Sequence, residues 1–325
     1  MADFPLLSES PFRPAGQVPL APGKFRDPHR TAKGERRARV PLVALETLWL
    51  NTGTLCNLAC ATCYIESSPT NDTLAYLTVS EAAAYLDDIG RLGLPTRTIG
   101  LTGGEPFMND DTPGIMADAL GRGFAVLVLT NAMRPMRRFE TELVALQRRF
   151  GDALTLRVSL DHHTRAVHEA ERGAGSWGRA VDGLCWLAGH GVRLAIAGRQ
   201  LPGESAAQAR TGYAGLLKDL GLTLDPGDPE RLVLFPGLDA DADVPEISDG
   251  CWSILGKSPD EVMCASSRMV VKRRGKSPSV VACTLLPYAD AFDLGATLAE
   301  AARPVDLNHP HCARFCVLGG ASCGG

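Results

Sequence analysis

The chain has 325 residues, 45% of them hydrophobic, and a formal net charge of −4. That length suits one large α/β domain plus a small second unit, and the charge creates no general attraction to nucleic acid or to a membrane surface. No apolar run reaches the roughly 18 residues needed to span a bilayer, and Met1-Ala2-Asp3-Phe4-Pro5 is not the start of a secretory signal.

Residues 1–44 are rich in proline and in basic residues, among them Lys24, Arg26, Arg30, Lys33, Arg36, Arg37 and Arg39. They read as a solvated, partly ordered leader, or as a basic arm for an acidic partner or leader peptide. From 45 to 238 strand and helix alternate. Strands are predicted near 47, 98, 124, 154, 192 and 231, the fourth over 153–160. Thr78-Val79-Ser80-Glu81 forms a capping box, Ala82, Tyr85, Leu86, Ile89 and Leu92 recur at helical spacing, and Gly93 and Pro95 end that helix. Ser176 is expected to cap a second helix with Trp177, Ala180, Val181, Leu184 and Leu187 on one face, where Cys185 fills core space. Six βα units joined in this way imply a parallel sheet.

From 239 the composition changes. Asp239, Asp241 and Asp243 alternate with small residues and read as an exposed linker without the glycine and glutamate of a calcium loop. Residues 269–276 and 279–282 read as a hairpin flanked by Cys264 and Cys283, and 294–301 as a helix. The chain ends Cys323-Gly324-Gly325, a slim tail that either enters a narrow cavity or frays.

Ten cysteines without an export signal point to metal ligation in a reducing, cytoplasmic compartment. Three stand in one loop, Cys56-Asn57-Leu58-Ala59-Cys60-Ala61-Thr62-Cys63, followed by Tyr64. Thiolates suit iron–sulfur clusters, and three of them around a [4Fe–4S] cluster leave one iron open for a ligand. Zinc prefers paired C-x2-C units, and the first spacing here is C-x3-C. One βα unit later Gly103-Gly104-Glu105-Pro106 ends a strand. Its glycines let a ligand approach the backbone, and strand-end carbonyls with Glu105 suit an ammonium group. A loop of this kind at the carboxyl end of the first strand sits where α/β folds build their sites.

Through Cys56, Cys60, Cys63, Tyr64 and Gly103 to Pro106 the chain resembles the radical S-adenosylmethionine (radical SAM) superfamily. The resemblance implies a partial (β/α)6 barrel in which the open iron chelates SAM. An electron from the cluster then cleaves SAM to a 5′-deoxyadenosyl radical that abstracts hydrogen from a substrate. It places the adenine near Tyr64 and the methionine ammonium at Gly103 to Pro106. Ser159-Leu160-Asp161, His168 and Arg172-Gly173 look like the pattern of the subgroup with a C-terminal SPASM or twitch extension, with His162 where a glycine is usual. Ser159, Thr130 with Asn131, and Arg199 are candidates for the SAM ribose or carboxylate.

The same resemblance reads 239–325 as a linker and a twitch-like domain with an auxiliary [4Fe–4S] cluster. Cys264 and Cys283 are its firmer ligands and Cys316 the next, with Cys312 and Cys323 competing for the last place. Cys251 is either a replacement or a core residue, and a zinc knuckle is the alternative for the whole segment. The expected activity is that of a radical SAM enzyme on a small molecule or a peptide, served by an electron donor such as flavodoxin or ferredoxin. The alternative is a non-catalytic iron–sulfur or zinc protein on the same scaffold. His162, His163, His168 and Glu169 crowd one strand end, where an acid–base role or simple loop ordering would suit them.

Overall fold

The computed structural model describes residues 10–13, 16–237 and 241–320. A two-residue strand, β1 (Arg39–Val40), precedes β2 (Thr47–Asn51). There follow α1 (Val79–Leu92), β3 (Thr98–Thr102), α2 (Thr112–Gly121), β4 (Ala125–Thr130), α3 (Arg134–Arg137), α4 (Glu140–Phe150) and β5 (Leu154–Ser159). Then come α5 (Arg165–Arg172), α6 (Ser176–Gly189), β6 (Arg193–Arg199), α7 (Ala206–Asp219) and β7 (Leu232–Phe235). From β2 to β7 each strand pairs in parallel with the next in chain order, giving the six units the sequence implies. Helices cover these strands, so β4 is apolar nearly throughout, with Val126, Leu127 and Val128 buried.

Helix α1 has the expected reciprocal capping box between Thr78 and Glu81 and stops at Gly93 in the left-handed conformation, φ 62°. Helix α6 departs from expectation. Gly175, at φ 75°, takes the N-cap position, and Ser176 lies inside the first turn with its hydroxyl buried. The left-handed glycine makes the sharp corner between α5 and α6, which a serine would adopt at a cost. Cys185 on this helix is only partly buried.

The C-terminal region continues the same sheet. After α8 (Cys251–Leu255), β8 (Ser267–Val271) pairs in parallel with β2, β9 (Ser279–Val281) pairs antiparallel with β8, and β10 (Asp293–Gly295) with β9. The predicted hairpin is therefore present, starting and ending earlier than 269–276. The predicted helix at 294–301 is not. Gly295 sits at φ 116°, the Asp293 carboxylate accepts its amide, and Glu300 accepts the amides of Ala296 and Thr297. These side-chain bonds hold an extended bend where propensity favoured a helix. Strand β11 (Val305–Asp306) and a π-helix (Cys312–Leu318) follow.

The basic leader is not a solvated arm over its described part. β1 pairs antiparallel with β11, and Lys24 meets Asp243 at 2.7 Å. Arg37 is fully buried, 2.6 Å from Glu246, and donates to the carbonyls of Asp27 and Arg30. A buried guanidinium is tolerated because its charge is paired and its N–H groups are satisfied. No helix among the described residues is long and apolar enough to cross a membrane.

Candidate active site

The carboxyl ends of β3 to β7 surround a cavity of about 190 Å³. Cys56, Cys60 and Cys63 line it together with Tyr64, Gly103, Gly104, Thr130, Asn131, Ser159 and Arg199. Residues chosen from five separate stretches of sequence thus meet at one place. Glu105 and Pro106 lie behind the wall.

The Gly103–Gly104 turn packs against the cysteine loop itself. A Cβ on Gly103 would stand 2.5 Å from the Gly53 carbonyl oxygen, and one on Gly104 would stand 2.3 Å from that of Leu55. The amides of Gly104 and Glu105 donate to the same two carbonyls at 2.9 and 3.1 Å. These glycines therefore serve loop-to-turn contact, which the ligand-approach argument did not anticipate. The Thr102 carbonyl already accepts the Thr52 amide and hydroxyl.

Glu105 is buried and accepts the Thr130 hydroxyl at 2.8 Å and the Asn131 amide at 2.7 Å. Burial pushes its carboxyl up to about 7 against the pull of those donors. The Asn131 side-chain amide donates to Asn57 at 2.9 Å, inside the cysteine loop. The side chains of Glu105, Thr130 and Asn131 thus join the turn after β3, the end of β4 and the cysteine loop.

Two buried ion pairs close the other wall. Arg172 holds Asp161 in a bidentate pair at 2.6 and 3.0 Å, and Arg199 lies 3.0 Å from Glu171. The Arg172 guanidinium keeps the Asp161 carboxyl below its ordinary range despite burial. Burial pushes the thiols of Cys56 and Cys60 up to about 12, while the Arg172 charge pulls that of Cys60 the other way. A cation is thus supplied beside thiols that must ionise to bind metal. Glu171, which sequence reasoning missed, also accepts the amide and hydroxyl of Thr62, between Cys60 and Cys63. Ser10 donates to its other oxygen at 2.5 Å, and Phe12 stacks under Arg199.

Cys264, Cys283, Cys312 and Cys316 line a second, apolar cavity. Burial pushes Cys264 up to about 11 and Cys312 well above its ordinary value, the latter helped by the neighbouring sulfurs of Cys283 and Cys264. Buried Arg268 donates to the Cys264 carbonyl at 2.6 Å and is the nearby positive charge. The signal for it was an arginine inside an apolar strand. Cys251 lies elsewhere, accepting the Ser248 amide, and Cys323, Gly324 and Gly325 lie outside the described residues. The two cavities adjoin: Leu285 lines both, and the π-helix turns Cys312 and Cys316 to one and Phe315 to the other.

His168 is buried against Trp177, and none of His162, His163, His168 or Glu169 lines the main cavity. Burial lowers the affinity of all three imidazoles for a proton, that of His168 to about 4.

A set of three thiols in one cavity and four in another fits iron–sulfur clusters by donor type and number. Residues 50–208 match the model of the Radical SAM superfamily. The antilisterial bacteriocin subtilosin biosynthesis protein AlbA of Bacillus subtilis (strain 168) is 32% identical over 143 residues, 44% of this chain and 30% of AlbA. The mycofactocin maturase MftC of Mycobacterium tuberculosis (strain ATCC 25618 / H37Rv) is 32% identical over 136 residues, 42% of this chain and 32% of MftC. The matched part is thus about a third of the length of these relatives. Streptococcus suis SuiB bound to S-adenosylmethionine superposes with a TM-score of 0.56 at 12% identity, covering 78% of this chain and 64% of SuiB. For anSMEcpe with bound AdoMet the TM-score is 0.55 at 15% identity, covering 78% of this chain and 79% of that one. At such identities the structural likeness concerns the fold. Fold, cysteine loop and family match together make residues 50–208 a domain of the radical SAM superfamily, carried on the radical SAM α/β fold.

Proposed function

We propose that the protein is a radical SAM enzyme that cleaves SAM reductively and abstracts hydrogen from a peptide substrate. The observation that carries this reading is the meeting of Cys56, Cys60 and Cys63 with the Gly103–Gly104 turn at the carboxyl ends of parallel strands. The three thiolates would hold a [4Fe–4S] cluster and leave one iron open for SAM. Such a cluster, reduced by a flavodoxin or ferredoxin, would supply the electron for reductive cleavage of SAM.

The chain's own residues bind, orient and shield. Glu171 holds the middle of the cysteine loop, and Arg172 places positive charge beside Cys60. Glu105, Thr130 and Asn131 set the turn against the loop, leaving Ser159, Arg199 and Tyr64 on the wall for the ribose, carboxylate and adenine of SAM. Leu285, Phe235 and Phe315 make the remaining wall apolar, which keeps water from a reactive radical. Cys264, Cys283, Cys312 and Cys316 would hold an auxiliary [4Fe–4S] cluster.

A peptide is favoured over a small molecule by the relatives: AlbA acts in bacteriocin biosynthesis, MftC is a maturase, and SuiB is known bound to precursor peptide SuiA. The test is anaerobic reconstitution with iron and sulfide, followed by dithionite and SAM. Wild-type protein should release 5′-deoxyadenosine without added substrate, and the variant with Cys56, Cys60 and Cys63 all changed to alanine should release none. Equal release by both would remove the assignment.

A further inference from the structure

His162, His163 and Glu204 meet outside the cavity and take no part in the function proposed above. His162 and His163 follow β5, and Glu204 lies in the loop between β6 and α7. One donor atom from each falls within 4.8 Å of the others. The His162 side chain is 5% exposed and that of Glu204 14%, with Nε2 of His162 3.7 Å from Oε1 of Glu204. That Nε2 and Nδ1 of His163 are buried and make no hydrogen bond within the described residues. Buried imidazole nitrogens normally find partners, so two without one beside a carboxylate need a reason.

The surroundings hold these groups in place. Oε2 of Glu204 accepts the Leu201 amide at 3.1 Å, which leaves Oε1 to the histidines. The His163 ring lies in a notch on α7 that exists only because residue 212 is glycine: a Cβ there would stand 2.3 Å from the ring. Nδ1 of His162 lies 2.8 Å from the Thr164 hydroxyl and 3.0 Å from the Thr164 amide. In the metal-free tautomer Nδ1 accepts the amide and Nε2 carries the proton. Binding a cation at Nε2 moves the proton to Nδ1, which must give up the Thr164 amide and donate instead to the Thr164 hydroxyl, as metal-bound histidines donate to outer-shell groups.

We propose that His162, His163 and Glu204 form a mononuclear site for a divalent ion of the zinc class, separate from both cysteine sets. Two imidazoles and one carboxylate are a common donor set for such an ion, and three protein ligands leave a position open for water or an anion. The ion would clasp the loop after β5, which carries Asp161, to the loop after β6, which follows directly on Arg199. Those two residues already share a backbone hydrogen bond at 2.8 Å.

The test uses full-length protein with its iron–sulfur content reconstituted anaerobically and loosely held metal removed on a chelating resin. Zn2+ is titrated and counted against iron by mass spectrometry, and Co2+ is used as an optical probe. Wild-type protein should bind one Zn2+ per chain, and Co2+ should give weak visible bands without the strong near-ultraviolet absorption of thiolate ligation. E204Q and H163N should lose the site at unchanged iron content, and T164V should weaken Zn2+ binding about 10- to 100-fold. Thr164 is exposed, so T164V remains decisive where a ligand variant fails to load iron. Absence of stoichiometric Zn2+ in wild-type protein, thiolate bands with Co2+, or wild-type affinity in E204Q, H163N and T164V would each overturn the proposal.

Discussion

The Glu171 carboxylate grips Thr62, accepting its amide at 2.9 Å and its hydroxyl at 2.6 Å from 109 residues away. The Glu171 carbonyl also accepts the Ala61 amide. The end of α5 therefore fixes the segment between Cys60 and Cys63. E171A would leave buried Arg199 without its charge partner, a change that typically costs about 3–5 kcal/mol. Iron at the first cysteine set should fall while iron at the second stays, read as iron per chain and by the paramagnetic resonance of the reduced protein. Full retention of both would show that Glu171 does not hold the loop.

Replacing Gly104 by alanine should damage the site through the backbone. The new methyl would meet a main-chain oxygen at 2.3 Å, which cannot swing aside. A loss of a few kcal/mol in stability and of most SAM cleavage is expected. Gly90, inside α1 with open space around it, is the matched control. There alanine should stabilise by about 0.5–1 kcal/mol, measured as denaturant midpoint at constant m-value.

His168 makes stability depend on pH. Burial, with the Arg172 charge second, lowers it from 6.5 to about 4, so the folded state binds fewer protons than the unfolded state between those values. Stability from this group is complete above 6.5 and is lost as pH falls through 4, on the order of 3 kcal/mol in all. H168F removes no hydrogen bond and retains a ring against Trp177. Its stability curve between pH 7 and pH 4 should be flatter than that of the wild type. Parallel curves would assign the acid sensitivity to other groups.

Cys264, Cys283, Cys312 and Cys316 should account for half the iron. Two clusters imply about eight irons per chain, and alanine at Cys264 and Cys283 should leave about four. Uncoupled release of 5′-deoxyadenosine should survive that change. A wild-type content of about four irons, with zinc in the second cavity, would identify a zinc knuckle instead.

The strands were legible in the sequence because they lie in a buried parallel sheet, which leaves apolar runs such as 124–129. The cysteine loop and the glycine turn were legible because ligand spacing is local. Two features that escaped depend on distant partners, and a third on a local side-chain cap. Arg37 looked like part of a solvated leader because its partner Glu246 comes 209 residues later. Glu171 looked like any helical glutamate, since nothing near it marks Thr62 as its target. At 294–301 alanine, leucine and glutamate favoured a helix, but the Glu300 carboxylate caps the amides of an extended bend.

The π-helix at Cys312–Leu318 gives one short segment two tenants, thiols for the apolar cavity and a phenyl ring for the site above it. Phe315 stacks on Phe235 at 5.6 Å between ring centres, so its place on the wall is set by the same backbone that spaces Cys312 and Cys316. An iron–sulfur cluster on those thiols, as proposed here, would therefore brace the segment that carries Phe315. Protein made under iron starvation would then lose that brace as well as the metal. Deleting one residue from this segment would rotate sulfur and ring out of register together, so the two sites must vary in concert.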